Sequence, residues 1–395
     1  MKTRIRYAAM QGCYWALFCG YSGYVVYFMD KKGLSTWLIG ILTAAFGALS
    51  AISQPLLGKM ADREKPNWKI LLLILAGVNI LINVLLLFVE APFASGLLYA
   101  AMALSLGGMI PLINSVCFSI QAAGEKIQFG PPRAIGSLGS AIGSLLLGKL
   151  TAAFGPTVLP IYELIVTVIA IAVFCSMKYY PRPQTKTGAQ LQESAGKKKS
   201  MPARYPMFFV MWAGCVLIML FHNMTNVYLI NVIERVGGDS ADLGVSLSIA
   251  AAVEIPMMFL FATIAKKFSS KSLIVFSGIM FFLKGVGYCV AGNVAVIYAT
   301  QILQMFSFAV FATATVYYSH ERMLPEDEAK GQAFMSNTMT LGTLLGNLLG
   351  GWILSASGVK TMLITALVFA GLGTAITLFA CTEKKKNIPA GNSVV

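Results

Sequence analysis

The stretch Gln128-Phe129-Gly130-Pro131-Pro132-Arg133-Ala134-Ile135-Gly136 opens a long apolar segment with an arginine. Its two prolines set the start of a helix, where missing amide donors are tolerated. Glycines then recur at roughly one-turn intervals and thin one face, so that a neighbouring helix can pack closely: Gly136, Gly139, Gly143 and Gly148. A charged side chain in such a segment must face a bundle interior or a water-filled cavity. The stretch therefore predicts a membrane-embedded cavity beside Arg133.

The composition is that of a membrane protein. Hydrophobic residues make up 57% of the 395 and charged residues only 12%, and the mean hydropathy is +0.73. Apolar runs long enough to cross about 30 Å of hydrocarbon as helix are predicted, as spans one to twelve, near 7–29, 36–58, 70–89, 93–120, 133–154, 158–178, 206–233, 243–265, 271–291, 294–319, 332–354 and 359–381. We therefore expect an all-α membrane protein with twelve transmembrane helices.

The lysines and arginines that give the net charge of +14 lie mostly in loops on one side of the predicted membrane. If the N-terminus is cytoplasmic, 23 of the 30 lysines and arginines fall on that side. The opposite side holds five: Lys31, Lys32, Lys149, Arg235 and Lys360. The positive-inside rule then places both termini in the cytoplasm of a multi-pass protein of the cell membrane. The basic excess does not indicate a nucleic-acid partner.

One polar linker divides the chain. Residues 179–205 are rich in Pro, Lys, Gln, Ser and Gly, and they separate a six-helix bundle at 1–178 from another at 206–381, before a tail at 382–395. Leu138-Gly139-x3-Gly143-x-Leu145-Leu146-x-Gly148 recurs as Leu341-Gly342-x3-Gly346-x-Leu348-Leu349-x-Gly351, at a constant offset of 203. Two pseudo-symmetric six-helix halves around a central site are the build of many secondary transporters.

Two charged residues lie deep in the second half. Glu254, about halfway through span eight, is interpreted as a proton or substrate site, with a structural hydrogen bond as the alternative. Lys284, in span nine, is expected to pair with Glu254 or to snorkel towards water. Glu163, near the outer end of span six, is interpreted as simply reaching water.

Several uncharged polar residues are candidates for the same cavity. Asn223 and Asn226 share a face of span seven, and amides there suit a hydroxyl-rich neutral solute or hydrogen bonds between helices. His222 is a possible proton carrier, although a packing role is preferred. Asn114, Gln304 and Ser307 are weaker candidates of the same type. The span-one tyrosines, including Tyr24, could stack on a ring of the solute, with packing or interface anchoring as the alternative.

The motifs of enzymes are missing from the sequence. It has no nucleotide-binding Gly-rich loop, no Cys/His cluster and no large soluble domain. The seven cysteines lie in or at the ends of apolar spans without metal-ligand spacing. We therefore expect neither a catalytic site nor a cofactor or metal, and transport driven by an ion gradient or by the solute's own gradient.

Two motifs resemble a known family. Gln54-Pro55-Leu56-Leu57-Gly58-Lys59-Met60-Ala61-Asp62-Arg63 resembles the cytoplasmic loop signature of the major facilitator superfamily. Phe129-Gly130-Pro131-Pro132-Arg133 resembles the helix-five entry of the oligosaccharide:proton symporters, the lactose permease-like branch, and of their nucleoside-transporter relatives. Asp62 and Arg63 are expected to act at the cytoplasmic gate, or to form an ordinary surface ion pair.

The resemblance assigns roles residue by residue. Arg133 matches the sugar-binding arginine, Glu254 the glutamate that joins substrate binding to protonation, and Lys284 a basic residue of helix nine. Asn114 falls at the helix-four glutamate position of lactose permease. Gln304 and Ser307 replace its helix-ten histidine and proton-carrying glutamate, so a galactoside is not supported. If protons drive transport here, Glu254 has to carry more of the coupling, or the protein is a uniporter.

The sequence therefore predicts a monomeric carrier for a small polar solute. A sugar or oligosaccharide would bind at the midplane to Arg133, Asn114, Asn223 and Gln304, and Glu254 would bind and release the coupled proton. The alternatives are a nucleoside:proton symporter and a proton-driven drug or metabolite exporter. A nontransporting membrane sensor is the remote alternative, because the linker and tail are too short for an output domain.

Overall fold

The computed structural model describes residues 2–61, 67–180, 200–324 and 327–382, and within these ranges all regular structure is helical. The long helices are Lys2–Lys31, Thr36–Ala61, Trp68–Phe88, Pro92–Ala122, Gly130–Phe154, Val158–Ser176, Pro206–Val227, Ser240–Ala265, Ser270–Val290, Val294–Gln301 continued by Phe308–Arg322, and Glu328–Cys381. The short helices Met201–Arg204 and Leu229–Glu234 precede and follow the seventh.

The helix count agrees with twelve spans. Ten candidate spans among the described residues are long and apolar enough to cross a membrane. The last of these contains two helices, because Gly358 has a non-helical backbone with φ 78° inside Glu328–Cys381. The first helix, Lys2–Lys31, is not among the ten, although its 30 residues span about 45 Å. Its tyrosines and glutamine lower its hydropathy, and they are tolerated because much of this helix is buried by its neighbours.

The glycine face of span five packs against span one, as the sequence predicts. A Cβ atom on Gly139 would collide with the carbonyl oxygen of Gly12, so these two backbones touch. A Cβ atom on Gly136 would lie 2.5 Å from Cδ1 of Trp15. The missing side chains therefore let span one approach closely enough for its Trp15 to reach the start of span five.

The two halves touch through a second set of glycines. We call the side of the membrane that carries the linker the linker side, and the opposite one the far side. Near the far side, Gly148 of span five packs on Gly244 of span eight, where a Cβ would lie 2.8 Å from the Gly244 Cα. Gly40 of span two packs on Gly351 of span eleven, where a Cβ on Gly40 would lie 3.2 Å from the Gly351 Cα. Gly148 and Gly351 are related by the sequence repeat, so the contact is made twice.

Other contacts between the halves support this far-side closure, which we define by Gly40, Gly148, Gly244 and Gly351. A Cβ on Gly23 of span one would meet the Leu247 side chain of span eight at 2.6 Å. Lys31 and Glu234 form an exposed ion pair between the halves, at 3.7 Å. These contacts therefore close the structure on the far side.

The described ends of the linker are fastened to different halves. Trp68 donates to the Tyr180 carbonyl oxygen at 2.8 Å. At the other end, Arg204 donates to Asp327 Oδ2 at 2.5 Å, and the Tyr205 hydroxyl donates to the same oxygen at 3.1 Å. Asp327 is only 4% exposed, and it immediately precedes span eleven. Although burial opposes the charged form, the hydrogen bonds from Tyr205 and Arg204 lower the pKa of Asp327.

We expect Asp327→Asn to lower the melting temperature of the detergent-solubilised protein by a few degrees at pH 7. Because its pKa is lowered in the folded protein, Asp327 stabilises the fold above the ordinary carboxyl value of 3.8 and stops doing so as pH falls through its folded value. The gap between variant and wild type should therefore close in acid. Asp30→Asn is the control, and an equal loss there, or a gap that persists in acid, would contradict the prediction.

Replacing Gly148 by tryptophan should separate the halves on the far side, because the new ring has no space against span eight. The measurement is disulfide formation in Lys31→Cys/Glu234→Cys, whose partners meet only when the far side is closed. Cross-link yield should fall in the Gly148→Trp background. It should be unchanged with Gly77→Trp, where a Cβ meets nothing within 4 Å. Equal yields in the two backgrounds would refute a closure made by Gly148.

Candidate functional site

Three polar side chains of the second half form one hydrogen-bonded chain. Lys284 Nζ donates to Gln304 Oε1 at 2.5 Å, and Gln304 Nε2 donates to Glu254 Oε1 at 3.0 Å. Lys284 is 2% exposed, whereas Glu254 is half-buried. Because an amide has both a donor and an acceptor, Gln304 joins the buried cation to the carboxyl group without direct contact between them.

A break in span ten positions Gln304. The helix Val294–Gln301 passes into a tighter 3-10 turn over Ile302–Met305, which contains Gln304, and restarts at Phe308. Hydroxyl groups bond to the carbonyls of this segment: Ser277 donates to the Ser307 oxygen at 2.9 Å, and Ser307 donates to the Leu303 oxygen at 2.8 Å. Irregular backbone is tolerated in a membrane where protein groups satisfy it in this way.

Arg133 lies against an aromatic ring in the first half. Its guanidinium carbon is 3.8 Å from the centre of the Trp15 ring, and Nη1 donates to the Ser137 hydroxyl at 3.1 Å. Ser137 is one helical turn further along span five, and the bare Gly136 makes room for the indole. The half-buried arginine is therefore oriented, and most of its N–H donors have no partner among the described residues.

An amide network of span one continues this cluster. Trp15 Nε1 donates to Gln11 Oε1 at 3.1 Å. Gln11 Nε2 in turn contacts the Tyr7 hydroxyl at 2.9 Å and Asn114 Oδ1 at 3.3 Å. Asn114 is half-buried and presents its amide beside the network. The structure thus brings Asn114 and Arg133 to one cluster through Gln11 and Trp15.

Arg133 and Glu254 lie on opposite halves and attract each other electrostatically. No ion pair within 4 Å joins them in the part of the chain that the structure describes. Both side chains are partly exposed, and the closure of the halves lies towards the far side. The two halves therefore present opposite charges to each other, and both groups can form hydrogen bonds with a polar solute.

The span-seven amides are used differently. Asn223 Nδ2 donates to the Met219 carbonyl at 2.9 Å, and its oxygen accepts from Thr343 of span eleven at 3.0 Å. This is the hydrogen bond between helices that the sequence analysis gives as the alternative to solute binding. Asn226 is half-buried and makes no hydrogen bond to another described residue.

His222 and Tyr24 occupy packing positions. The His222 ring is 8% exposed and lies 4.8 Å from the Phe308 ring and 5.4 Å from the Phe281 ring, between centroids. Tyr24 is fully buried, and its hydroxyl donates to the Ser144 carbonyl at 2.8 Å. Their roles in proton coupling and substrate binding stay predictions, as does the gating role of Asp62 and Arg63, which lie outside the described residues.

Sequence reasoning missed two members of the cluster and misjudged one carboxyl group. Gln11 and Trp15 were overlooked although Tyr7, Gln11 and Trp15 follow one another at four-residue spacing, which places them on one helix face. The interpretation that Glu163 reaches water is wrong, because this residue is fully buried. Glu163 lies close to the end of span six, which suggested access to water, but side chains and backbone of neighbouring spans cover it.

Solved structures of transporters share this fold. The nucleoside transporter NupG superposes with a TM-score of 0.78 over 97% of this chain and 100% of its own, at 15% identity. A variant of the peptide transporter POT, in complex with alafosfalin, gives 0.75 over 96% of this chain and 95% of its own, at 13% identity. At these identities the likeness shows the fold alone.

Two relatives match by sequence over most of their length. "Uncharacterized transporter YwbF" of Bacillus subtilis is 21% identical over 98% of this chain and 97% of its own. "Putative sugar efflux transporter" of Deinococcus radiodurans is 24% identical over 87% of this chain and 90% of its own. The profile of the MFS_1 like family matches residues 5–365. The chain therefore belongs to the MFS_1 like family and is a multi-pass membrane transporter of the major facilitator superfamily.

Proposed function

We propose that this transporter carries a small polar solute, a sugar or oligosaccharide, together with protons. The observation that carries the proposal is the pair of clusters that face each other between the halves. One presents Arg133 on Trp15, and the other presents Glu254 joined through Gln304 to Lys284. A donor-rich cation opposite a carboxyl group that can gain a proton supplies both solute recognition and coupling.

Solute recognition falls to Arg133 and the amides around it. One guanidinium nitrogen is bonded to Ser137, which leaves the remaining N–H donors for neighbouring hydroxyl groups of a sugar. Asn114, Asn223, Asn226 and Gln304 would add donors and acceptors from other spans. The edge of the Trp15 ring would form the boundary of the solute site on the side of span one.

Glu254 would couple transport to protons. An ionised Glu254 attracts Arg133 of the other half and also accepts a hydrogen bond from Gln304. Protonation cancels that attraction and frees Arg133 to bind the solute, while Lys284 keeps its bond to the Gln304 carbonyl. Solute and proton would then be released together after the halves rock, and loss of the proton resets the carrier.

The orientation follows from charge. Because lysines and arginines are concentrated on the linker side, we place that side, with both termini, in the cytoplasm of the cell membrane. The moving units would be the bundles 1–178 and 206–381, within a monomer. With the far side closed, the structure then corresponds to the inward-facing state.

Two alternatives have specific support. The relative named as a sugar efflux transporter favours export of the same class of solute. A nucleoside is the other candidate solute, because its ribose hydroxyls would also suit Arg133, and the nucleoside transporter NupG has the same fold. Binding of sugars against nucleosides by thermal shift separates the substrates, and the direction of solute-linked proton flux in liposomes separates uptake from export.

Glu254→Gln should abolish uphill accumulation in proteoliposomes with an imposed pH gradient, because the amide cannot carry a proton. Exchange of labelled for unlabelled solute should persist, since it needs no net proton movement. Glu90→Gln is the control, because Glu90 is a carboxyl group on the far side, outside the helices. Unchanged accumulation in Glu254→Gln would remove Glu254 from the mechanism.

Arg133→Lys should weaken solute binding by about tenfold to a hundredfold, because a hydrogen bond to a charged group contributes about 1.5–3 kcal/mol and lysine lacks the planar fork. The measurement is the solute dissociation constant of the purified protein. Ser137→Ala is the matched comparison: it removes the bond that orients Arg133 but keeps the guanidinium, so solute binding should weaken less than in Arg133→Lys. Equal affinity in Arg133→Lys and wild type would show that the arginine does not touch the solute.

A further inference from the structure

Glu163 is a carboxyl group that the proposed mechanism does not use. It is the sixth residue of the helix Val158–Ser176, has 0% exposure, and neither of its carboxyl oxygens has a hydrogen-bond partner among the described residues. It lies inside the first bundle, away from the Arg133 and Glu254 clusters. Buried polar groups are nearly always bonded, so an acid with two unpaired oxygens requires an explanation.

The surroundings of Glu163 are apolar and close. A Cβ on Gly20 of span one would collide with Glu163 Oε1, and it would lie 3.3 Å from both Leu147 Cδ1 and Tyr162 Cε1. The carboxyl group therefore packs on the bare backbone of span one at Gly20.

No described cation faces this carboxyl group. The titratable groups around it are Cys19 from span one, Tyr99 from span four and Tyr162 from its own span, and a thiol or phenol group cannot carry the positive charge that would pair with a carboxylate. Tyr99 donates instead to the Gly20 carbonyl, at 3.0 Å. Span five contributes Leu147. An ionised carboxylate here would be neither paired nor hydrated, so Glu163 is held as the neutral acid.

The site lies directly behind the far-side closure. Gly20 is one turn from Gly23, which packs on Leu247 of span eight. Leu147 is the neighbour of Gly148, which packs on Gly244 of the same span. The two segments that cover Glu163 are thus the ones that meet the second half when the far side closes.

We propose that Glu163 is a second proton-binding site, which exchanges its proton with water on the far side when the closure opens. In that step the carboxyl O–H bond breaks, the proton passes to far-side water, and the carboxylate becomes hydrated beside Gly20. Reprotonation from the same side precedes closure, because the closed structure accommodates only the neutral acid. Because the proton leaves to and returns from the same side, Glu163 carries no net proton across the membrane and instead makes far-side opening depend on the pH there. The inference rests on the proposed alternating access, but it involves a different carboxyl group from Glu254.

The test is infrared spectroscopy of the full-length protein in liposomes at pH 7. The carbonyl stretch of a protonated carboxyl group should be present in the wild type and lost in Glu163→Gln. Glu163→Asp should retain a neutral-acid band at a shifted position, which assigns the band even if the glutamine variant folds poorly. In Gly148→Trp, with the far side held open, at least half of the band should convert to carboxylate, and Gly77→Trp should leave it unchanged.

The outcomes separate this site from Glu254. Glu254→Gln should retain the Glu163 band whether or not it abolishes accumulation, so failure of the Glu254 mechanism leaves this test intact. The proposal is overturned if wild type lacks the band at pH 7, or if Gly148→Trp with a lowered cross-link yield keeps the full band. Conversion of the band to carboxylate on adding Na⁺ to wild type would also overturn it, in favour of a bound cation.

Discussion

The rest of the structure depends on the close approach of helix backbones at the far side. Gly148 on Gly244 and Gly40 on Gly351 let four spans from the two halves meet without intervening side chains. Such contacts rely on van der Waals packing, so they can separate without breaking a buried ion pair. Each contact joins one glycine from each half, and Gly148 and Gly351 are related by the sequence repeat, so the halves meet through equivalent positions on the far side.

The polar groups of the spans differ in their partners. Lys284 is bonded through Gln304 to Glu254, and Arg133 lies over the Trp15 ring with Ser137 as its acceptor. Asn223 is bonded to another helix. Glu163 has no described partner and is accommodated only without its charge. The partnered groups keep their positions in an apolar environment, whereas the charge state of Glu163 depends on whether its cover is in place.

The fold alone does not determine which solute a transporter of this kind carries. Proteins of this architecture are named as nucleoside and peptide transporters, and a relative is named for sugar efflux. Specificity must therefore reside in the site. The proposed site offers an arginine fork, an indole edge and several amides, without a second cation or a carboxylate pair near Arg133 among the described residues. That chemistry suits hydroxyl-rich neutral molecules better than charged ones.

The sequence by itself determined the membrane class, the spans, the glycine-rich packing faces, the repeat of the two halves, and the presence of Arg133, Glu254 and Lys284 within the spans. These follow from hydropathy and spacing along one chain. Only the tertiary structure decided that Trp15 lies on Arg133, that Gln304 joins Lys284 to Glu254, and that Glu163 is sealed behind Gly20. Partners on distant spans depend on how each helix is rotated and tilted by its packing, and hydropathy says only that a residue lies in the apolar layer.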